Sequence, residues 1–328
     1  MCSSDLEGAD DFIKKPFSFP EFTARINAQF SRVKRQTTRL AQLGERQFKI
    51  GSFINGGNNQ KYKITARLAT GGMGVIFRGI RISDQMEVVI KTLNSNFLEN
   101  YKDIQRFLRE AEATIRLRHP HIAEGLEVVR TANHCFYVMK YVDGESLANM
   151  IEREGHIHPE RVLRIIRQIA TGLDQFHQFS LVHRDIKPGN ILISHNDHAV
   201  LVDMGLTKSE NSQPDLTTEG VILGTPYYLS PEQALGEMVD IRSDIYSLGA
   251  TFYHAVTGGV PFHGASTIAI INARFISEIE SPRRRAPEIS EEIAQIVTRM
   301  MARNPAERFQ TPGELIETID GCLGTAKK

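Results

Sequence analysis

The stretch LVHRDIKPGNILI, Leu181 to Ile193, decides how the rest of the chain is read. Its centre, His183, Arg184, Asp185, Ile186, Lys187, Pro188, Gly189 and Asn190, packs an acid, bases and a carboxamide into one tight turn between apolar flanks. An aspartate and an asparagine five residues apart, with a lysine two after the acid, suit a loop that handles a hydroxyl, a phosphate and a metal. Eighteen residues after Asp185 comes Asp203, in AVLVDMGLTK. It is a hard oxygen ligand at the end of an apolar strand, as Mg2+ needs. Two unrelated acidic turns are the plain alternative, and that alternative weakens with each further residue that joins the set.

Upstream, LATGGMGVIF (Leu68 to Phe77) is a glycine cluster between two strand-like runs. Glycines let a backbone lie close over phosphates and aim N–H groups at them. Alone, the cluster suits a plain hairpin turn equally well, and no Gly-Lys-Ser/Thr follows to make it a Walker loop. VVIK closes the next strand with Lys91, seventeen residues after Gly74, where a snorkelling surface lysine would look the same. DIQRFLREAEATIRLR, Asp103 to Arg118, reads as an amphipathic helix stopped by Pro120, and it carries Glu110. HCFYVMKYV gives one more strand. From Pro159 onward, apolar residues at helical spacing predict helices over 159–179, 241–257, 288–302 and 312–322. The expected class is α+β, a small β-rich lobe followed by a larger helical one.

Composition narrows the function. The 39 basic and 39 acidic residues cancel, so no overall field draws the chain to nucleic acid or anionic lipid. Cys2, Cys135 and Cys322 form no C-x-x-C pair, which argues against disulfide or zinc frameworks and for a reducing cytoplasm. No window reaches the ~18 apolar residues of a membrane span, and the N-terminus lacks the pattern of a signal peptide.

The ordered set resembles a eukaryotic-type serine/threonine protein kinase of the bacterial branch. Its members are the GGMG loop, VVIK, Glu110, HRDIKPGN, DMG, GTPYYLSPEQ (Gly224 to Gln233), DIYSLG (Asp244 to Gly249) and NPAERF (Asn304 to Phe309). The resemblance spans about 62–320 and implies the two-lobed kinase fold over 62–322, with 323–328 a tail. It implies ATP as donor, Mg2+ (or Mn2+) as cofactor, and protein serine and threonine hydroxyls as acceptors.

Residue by residue, the resemblance places Leu68, Ala69, Thr70, Gly71, Gly72, Met73, Gly74, Val75 and Ile76 over the nucleotide. Met139 becomes the gatekeeper, with Lys140, Tyr141 and Val142 as the hinge beside adenine. Lys91 would hold the α/β-phosphates and pair with Glu110. Asp185 would take or orient the hydroxyl proton, Lys187 would steady the γ-phosphate, and Asn190 and Asp203 would coordinate the metal. Glu232 and Arg308 match a buried ion pair that braces the substrate loop, and Asp244 matches the acid that holds the catalytic loop from below. Lys187 with Thr225 resembles the serine/threonine subclass.

Three departures stand out. Ala69 occupies the first glycine position, where it can stiffen the loop. Met204 replaces the usual phenylalanine after Asp203, and Lys140 replaces a hinge glutamate. No phosphate, metal or base residue is missing, so an active enzyme is expected; an ATP-binding pseudokinase or scaffold is the alternative. Arg184 before Asp185 resembles kinases whose activation loop is ordered by a phosphate. Of Ser209, Ser212, Thr217 and Thr218 in that loop, Thr217 or Thr218 is the expected autophosphorylation site, reached in trans through self-association.

GADDFIKKPFSFPEFTARI, near the N-terminus, resembles the last strand and helix of a two-component receiver domain, with Lys15-Pro16 as its Lys-Pro pair. Residues 1–34 are then an incomplete remnant and 35–61 a linker, since one strand and one helix cannot build that five-stranded domain. The expected parent is a response regulator with a kinase as its output, of which this sequence is a truncated copy. MCSSDL, back-translated from a GTG start, also resembles a sequencing adapter.

Overall fold

The computed structural model describes residues 48–71, 74–93, 101–131, 134–203 and 226–325. The strand–helix unit expected at 8–34, Gly72, Met73, Met204 and the loop with Thr217 and Thr218 lie outside these residues.

The first lobe is a six-stranded antiparallel sheet. Its strands are β1 (Phe53–Asn55), β2 (Lys61–Gly71), β3 (Gly74–Arg81), β4 (Glu87–Thr92), β5 (Gly125–Arg130) and β6 (Cys135–Lys140), in the order β1-β2-β3-β4-β6-β5. Alternation explains them. Val88 and Ile90 of β4 are fully buried on one face while Val89 and Lys91 point to the other. The first face carries Ile54, Tyr62, Ile64, Phe77, Phe136 and Val138 in one apolar cluster, and Phe48 packs onto it against Phe77 and Phe136. Tyr137 and Met139 on the opposite face join the main core together with helix α1 (Tyr101–Arg116). That helix buries Ile104, Phe107, Ala111 and Thr114, steps of three and four residues that make one stripe.

The sheet begins earlier than the motifs do. β1 falls inside 35–61, the stretch expected as a linker, and pairs Ile54 with Tyr62. INGGNNQ, which suggests a break, is a hairpin turn: Gly56 N–H donates to the Gln60 carbonyl and Gln60 N–H to the Gly57 carbonyl, and Asn58 and Asn59 take positive φ of 49° and 59°. Asparagine tolerates that region, so a polar run can close a turn as well as open a linker.

The second lobe is helical around a small sheet of β7 (Glu145–Ser146), β8 (Ile191–Ile193) and β9 (Ala199–Leu201). Its helices are α2 (Leu147–Glu154), α3 (Pro159–Gln178), α4 (Pro231–Leu235), α5 (Ile241–Thr257), α6 (Thr267–Ile276), α7 (Pro282–Arg285), α8 (Glu291–Met300) and α9 (Pro312–Thr325). Ser146, Ser230, Asp240, Ser266 and Ser290 cap α2, α4, α5, α6 and α8 by accepting a backbone N–H. α5 is buried almost all round, and Ser247 and Thr251 spend their hydroxyls on carbonyls one turn back. Gly249 lets α8 approach α5: a Cβ there would lie 2.7 Å from the Met300 Cβ. The protein-kinase fold expected from the sequence is the one observed.

Candidate active site

The loop expected to be catalytic is held from beneath by a buried acid. Asp244, in the first turn of α5 and fully buried, accepts from the backbone N–H groups of His183 at 2.6 Å and Arg184 at 2.8 Å. Charge-assisted bonds of this kind are about twice as strong as neutral ones. They hold Arg184 at φ +66°, a region that costs a non-glycine residue on the order of 1 kcal/mol or more. The turn aims Asp185 at Lys187, whose Nζ lies 2.8 Å from its Oδ2. Asn190, in the 3-10 turn Pro188–Asn190, donates its Nδ2 to the Asp185 carbonyl at 2.7 Å and to Oδ2 at 2.9 Å.

The same turn reaches the second acid. The Asn190 carbonyl accepts from Val202 N–H at 2.8 Å, which sets Asp203 beside the loop just past β9. Asp203 also takes positive φ, at 59°, and its Oδ1 pairs with Lys91 Nζ. Lys91 stands on β4 opposite Ile76 of β3 and Tyr137 of β6, so the sheet delivers it from one side and β9 delivers its partner from the other. The Asn190 amide nitrogen is committed to Asp185. Its side-chain oxygen and the Asp203 carboxylate are then the hard donors available to a divalent cation, the ligand type Mg2+ takes.

Leu68, Ala69, Thr70 and Gly71 end β2, and Gly74, Val75 and Ile76 begin β3. Ala69 pairs with Ile76 inside the strand and keeps negative φ, so the backbone there needs no glycine. Gly74 is different: a Cβ would sit 1.7 Å from the Thr92 carbonyl oxygen, and the Thr92 hydroxyl bridges the N–H and C=O of Val75. At the expected hinge, Met139 is buried, Lys140 N–H donates to the Glu124 carbonyl, Tyr141 N–H donates to the Glu87 carbonyl, and the Arg78 guanidinium covers the Tyr141 ring at 4.2 Å.

Away from the reacting groups, Arg308 and Glu232 form a two-pronged pair at 2.7 and 2.9 Å, the arginine side chain fully buried. Arg308 spends its remaining N–H groups on the carbonyls of Ala302, Arg242 and Arg303, and Ser243 donates to Glu232. Burial pushes the Glu232 carboxyl up, but Arg308 and Ser243 outweigh it and hold the pKa below the usual range.

Of the expected site, Lys91, Asp185, Lys187, Asn190 and Asp203 converge, while Glu232, Arg308 and Asp244 stand behind them. Glu110 lies on α1, but its side chain and its expected pairing with Lys91 fall outside the described residues. Two contributors escape sequence reasoning. Thr92 is an ordinary strand residue until Gly74 approaches it. Tyr137 is buried on the Lys91 face of the sheet, with its hydroxyl 2.2 Å from where a Gly125 Cβ would be. Burial and the nearby Asp203 charge push that hydroxyl's pKa well up.

A sheet-borne lysine facing an acid just past β9, with a second acid, a lysine and an asparagine in one turn, is the arrangement the sequence predicts between the two lobes of a protein-kinase fold. Residues 62–318 match the protein kinase domain, and the chain belongs to that family. It is 35% identical over 258 residues to the serine/threonine-protein kinase pkn3 of Myxococcus xanthus, covering 76% of this chain and 47% of that protein. It is 34% identical over 266 residues to the serine/threonine-protein kinase PrkC of Bacillus subtilis, covering 81% and 40%. The chain thus spans about half or less of the length of these relatives. The crystal structure of the Mycobacterium tuberculosis PknI kinase domain superposes with a TM-score of 0.65 at 24% identity, over 84% of this chain and 98% of that one, and so shares the fold.

Proposed function

We propose that the chain is a serine/threonine protein kinase that transfers the γ-phosphate of Mg·ATP to protein serine and threonine hydroxyls. The convergence of Lys91, Asp185, Lys187, Asn190 and Asp203 carries this reading, and the serine/threonine kinases among its relatives support it. Asp185 Oδ accepts or orients the proton of the attacking hydroxyl. Lys187 neutralises charge on the transferring group from the same turn, and Lys91 does so on the α/β-phosphates from the sheet. Asn190 and Asp203 would hold Mg2+, with Mn2+ as a substitute; the metal supplies charge neutralisation between the phosphates when bound. The residues act by positioning and electrostatics, because phosphoryl transfer asks little covalent chemistry of a protein. Lys91 already shares Asp203, so nucleotide and metal must divide a contact the protein makes with itself.

Autophosphorylation at Thr217 or Thr218 in trans between two copies, and a place as the output of a two-component-type protein in the cytoplasm, extend the proposal. These extensions rest on sequence resemblance alone. Among the described residues no helix is long and apolar enough to cross a membrane. The test is incubation with radiolabelled Mg·ATP and a basic protein acceptor, followed by phosphoamino-acid analysis. Label on serine or threonine is expected; nucleotide binding without transfer by folded protein would make the chain a pseudokinase.

A further inference from the structure

Gln233, in the first turn of α4, is bonded to its own helix cap and to the loop that carries Asp185. Its Oε1 accepts from the backbone N–H and the hydroxyl of Ser230, at 3.1 and 3.2 Å, while the Ser230 hydroxyl accepts from Gln233 N–H at 3.3 Å. This reciprocal box satisfies the open end of α4. The Nε2 of the same side chain donates across to the Arg184 carbonyl at 3.1 Å. That carbonyl belongs to the peptide unit joining Arg184 to Asp185, and the N–H of the unit lies 3.3 Å from His183 Nδ1. The two preceding amides rest on Asp244. The peptide that sets the direction of the Asp185 side chain is therefore held at its carbonyl by a residue from the helix next to Glu232. It follows a residue in the left-handed region, where the backbone relaxes readily if released.

A carboxamide can do both jobs because it has an acceptor and a donor. Glutamate, the other common residue at this position of a capping box, can do only the first: its second oxygen would face the Arg184 oxygen, acceptor against acceptor. We infer that Gln233 is a positioning residue for phosphoryl transfer, fixing the Arg184–Asp185 peptide through its carbonyl and so tying the geometry of the base to the helix beside the braced ion pair. The inference rests on the kinase reading.

The Gln233→Glu variant keeps the cap and loses the donor; Gln233→Met loses both. In Q233E, the single-turnover rate and kcat should fall about tenfold or more, since small misplacement of a reacting group is costly. The Kd for Mg·ATP should stay within about twofold of wild type, because Lys91, Asp203 and the hinge are untouched. The thermal unfolding midpoint of Q233E should fall only slightly, by the one hydrogen bond it loses, and Q233M, which also loses the cap, should show the same rate loss with a larger loss of stability. A Q233E or Q233M rate within about twofold of wild type overturns the inference. A rate loss matched by equal losses of nucleotide affinity and stability in both variants also overturns it, since that marks a purely structural residue. A folded wild type that transfers no phosphate overturns the kinase reading itself, and the inference with it.

Discussion

At the scale of single residues, the proposed function puts Asp185 at the reacting hydroxyl and Glu232 in the structure beneath it, and the two should fail differently. Asp185→Asn keeps the shape and the Asn190 contact but removes the proposed base. Its kcat should drop by about 100- to 10,000-fold with Mg·ATP affinity unchanged, read by phosphate transfer beside equilibrium nucleotide binding. Glu232→Gln leaves the Arg308 guanidinium buried without its counter-charge. Breaking such a pair costs about 3–5 kcal/mol, or roughly 10 °C in a domain of this size, seen in thermal unfolding. Because the Glu232 pKa is lowered in the folded state, its contribution is complete above the ordinary glutamate value of about 4.3 and is lost as the pH falls through the lowered native value. Wild type and E232Q should therefore differ fully at neutral pH and converge in strong acid, measured as denaturant midpoints across that range.

At the scale of elements, the β2–β3 hairpin separates two glycine positions that look alike in the sequence. Ala69 lies in paired, extended strand, so Ala69→Gly should leave the KM for ATP within about twofold of wild type. Gly74 is pressed against Thr92, so Gly74→Ala must push β3 away from β4 and should raise that KM about tenfold, read by steady-state kinetics at saturating acceptor. A family pattern treats both positions as one motif; the pairing register assigns them separate roles. The hairpin turn at INGGNNQ makes the same point, since its glycines and asparagines are equally compatible with a linker until Ile54 is seen to be buried against Tyr62.

At the scale of the whole molecule, the lobes are joined where the segment after α1 crosses onto β9. Ile122 bridges Leu201, His121 Nδ1 lies 2.7 Å from the Ala199 carbonyl, and His198 Nε2 lies 3.1 Å from the Pro120 carbonyl. The His121 ring lies tilted against those of His119 and His198, at centroid distances of 5.5 and 4.7 Å. Burial lowers the His121 pKa first; its contact with the Ala199 carbonyl opposes this, and His198 and Arg167 lower it further. Burial and His121 lower that of His119, against Asp174. His119 and His121 favour the fold above the ordinary histidine value of about 6.5, and that support is lost as the pH falls through their lowered native values. Stability between pH 7 and 5 should therefore decline, and less steeply in His121→Gln, measured by denaturant midpoints. The two-lobed class, the turn that gathers Asp185, Lys187 and Asn190, the nearby Asp203, Lys91 on the sheet and the Glu232–Arg308 pair were legible from sequence. Each is a residue type in a short, ordered spacing, and short-range chemistry dictates those spacings. Contacts between distant stretches were not legible: Lys91 on Asp203, Gly74 on Thr92, Tyr137 over Gly125 and Gln233 on Arg184. No local spacing encodes them, because each depends on which surfaces meet when the sheet, the loop and α4 pack together, and only the tertiary structure decides that.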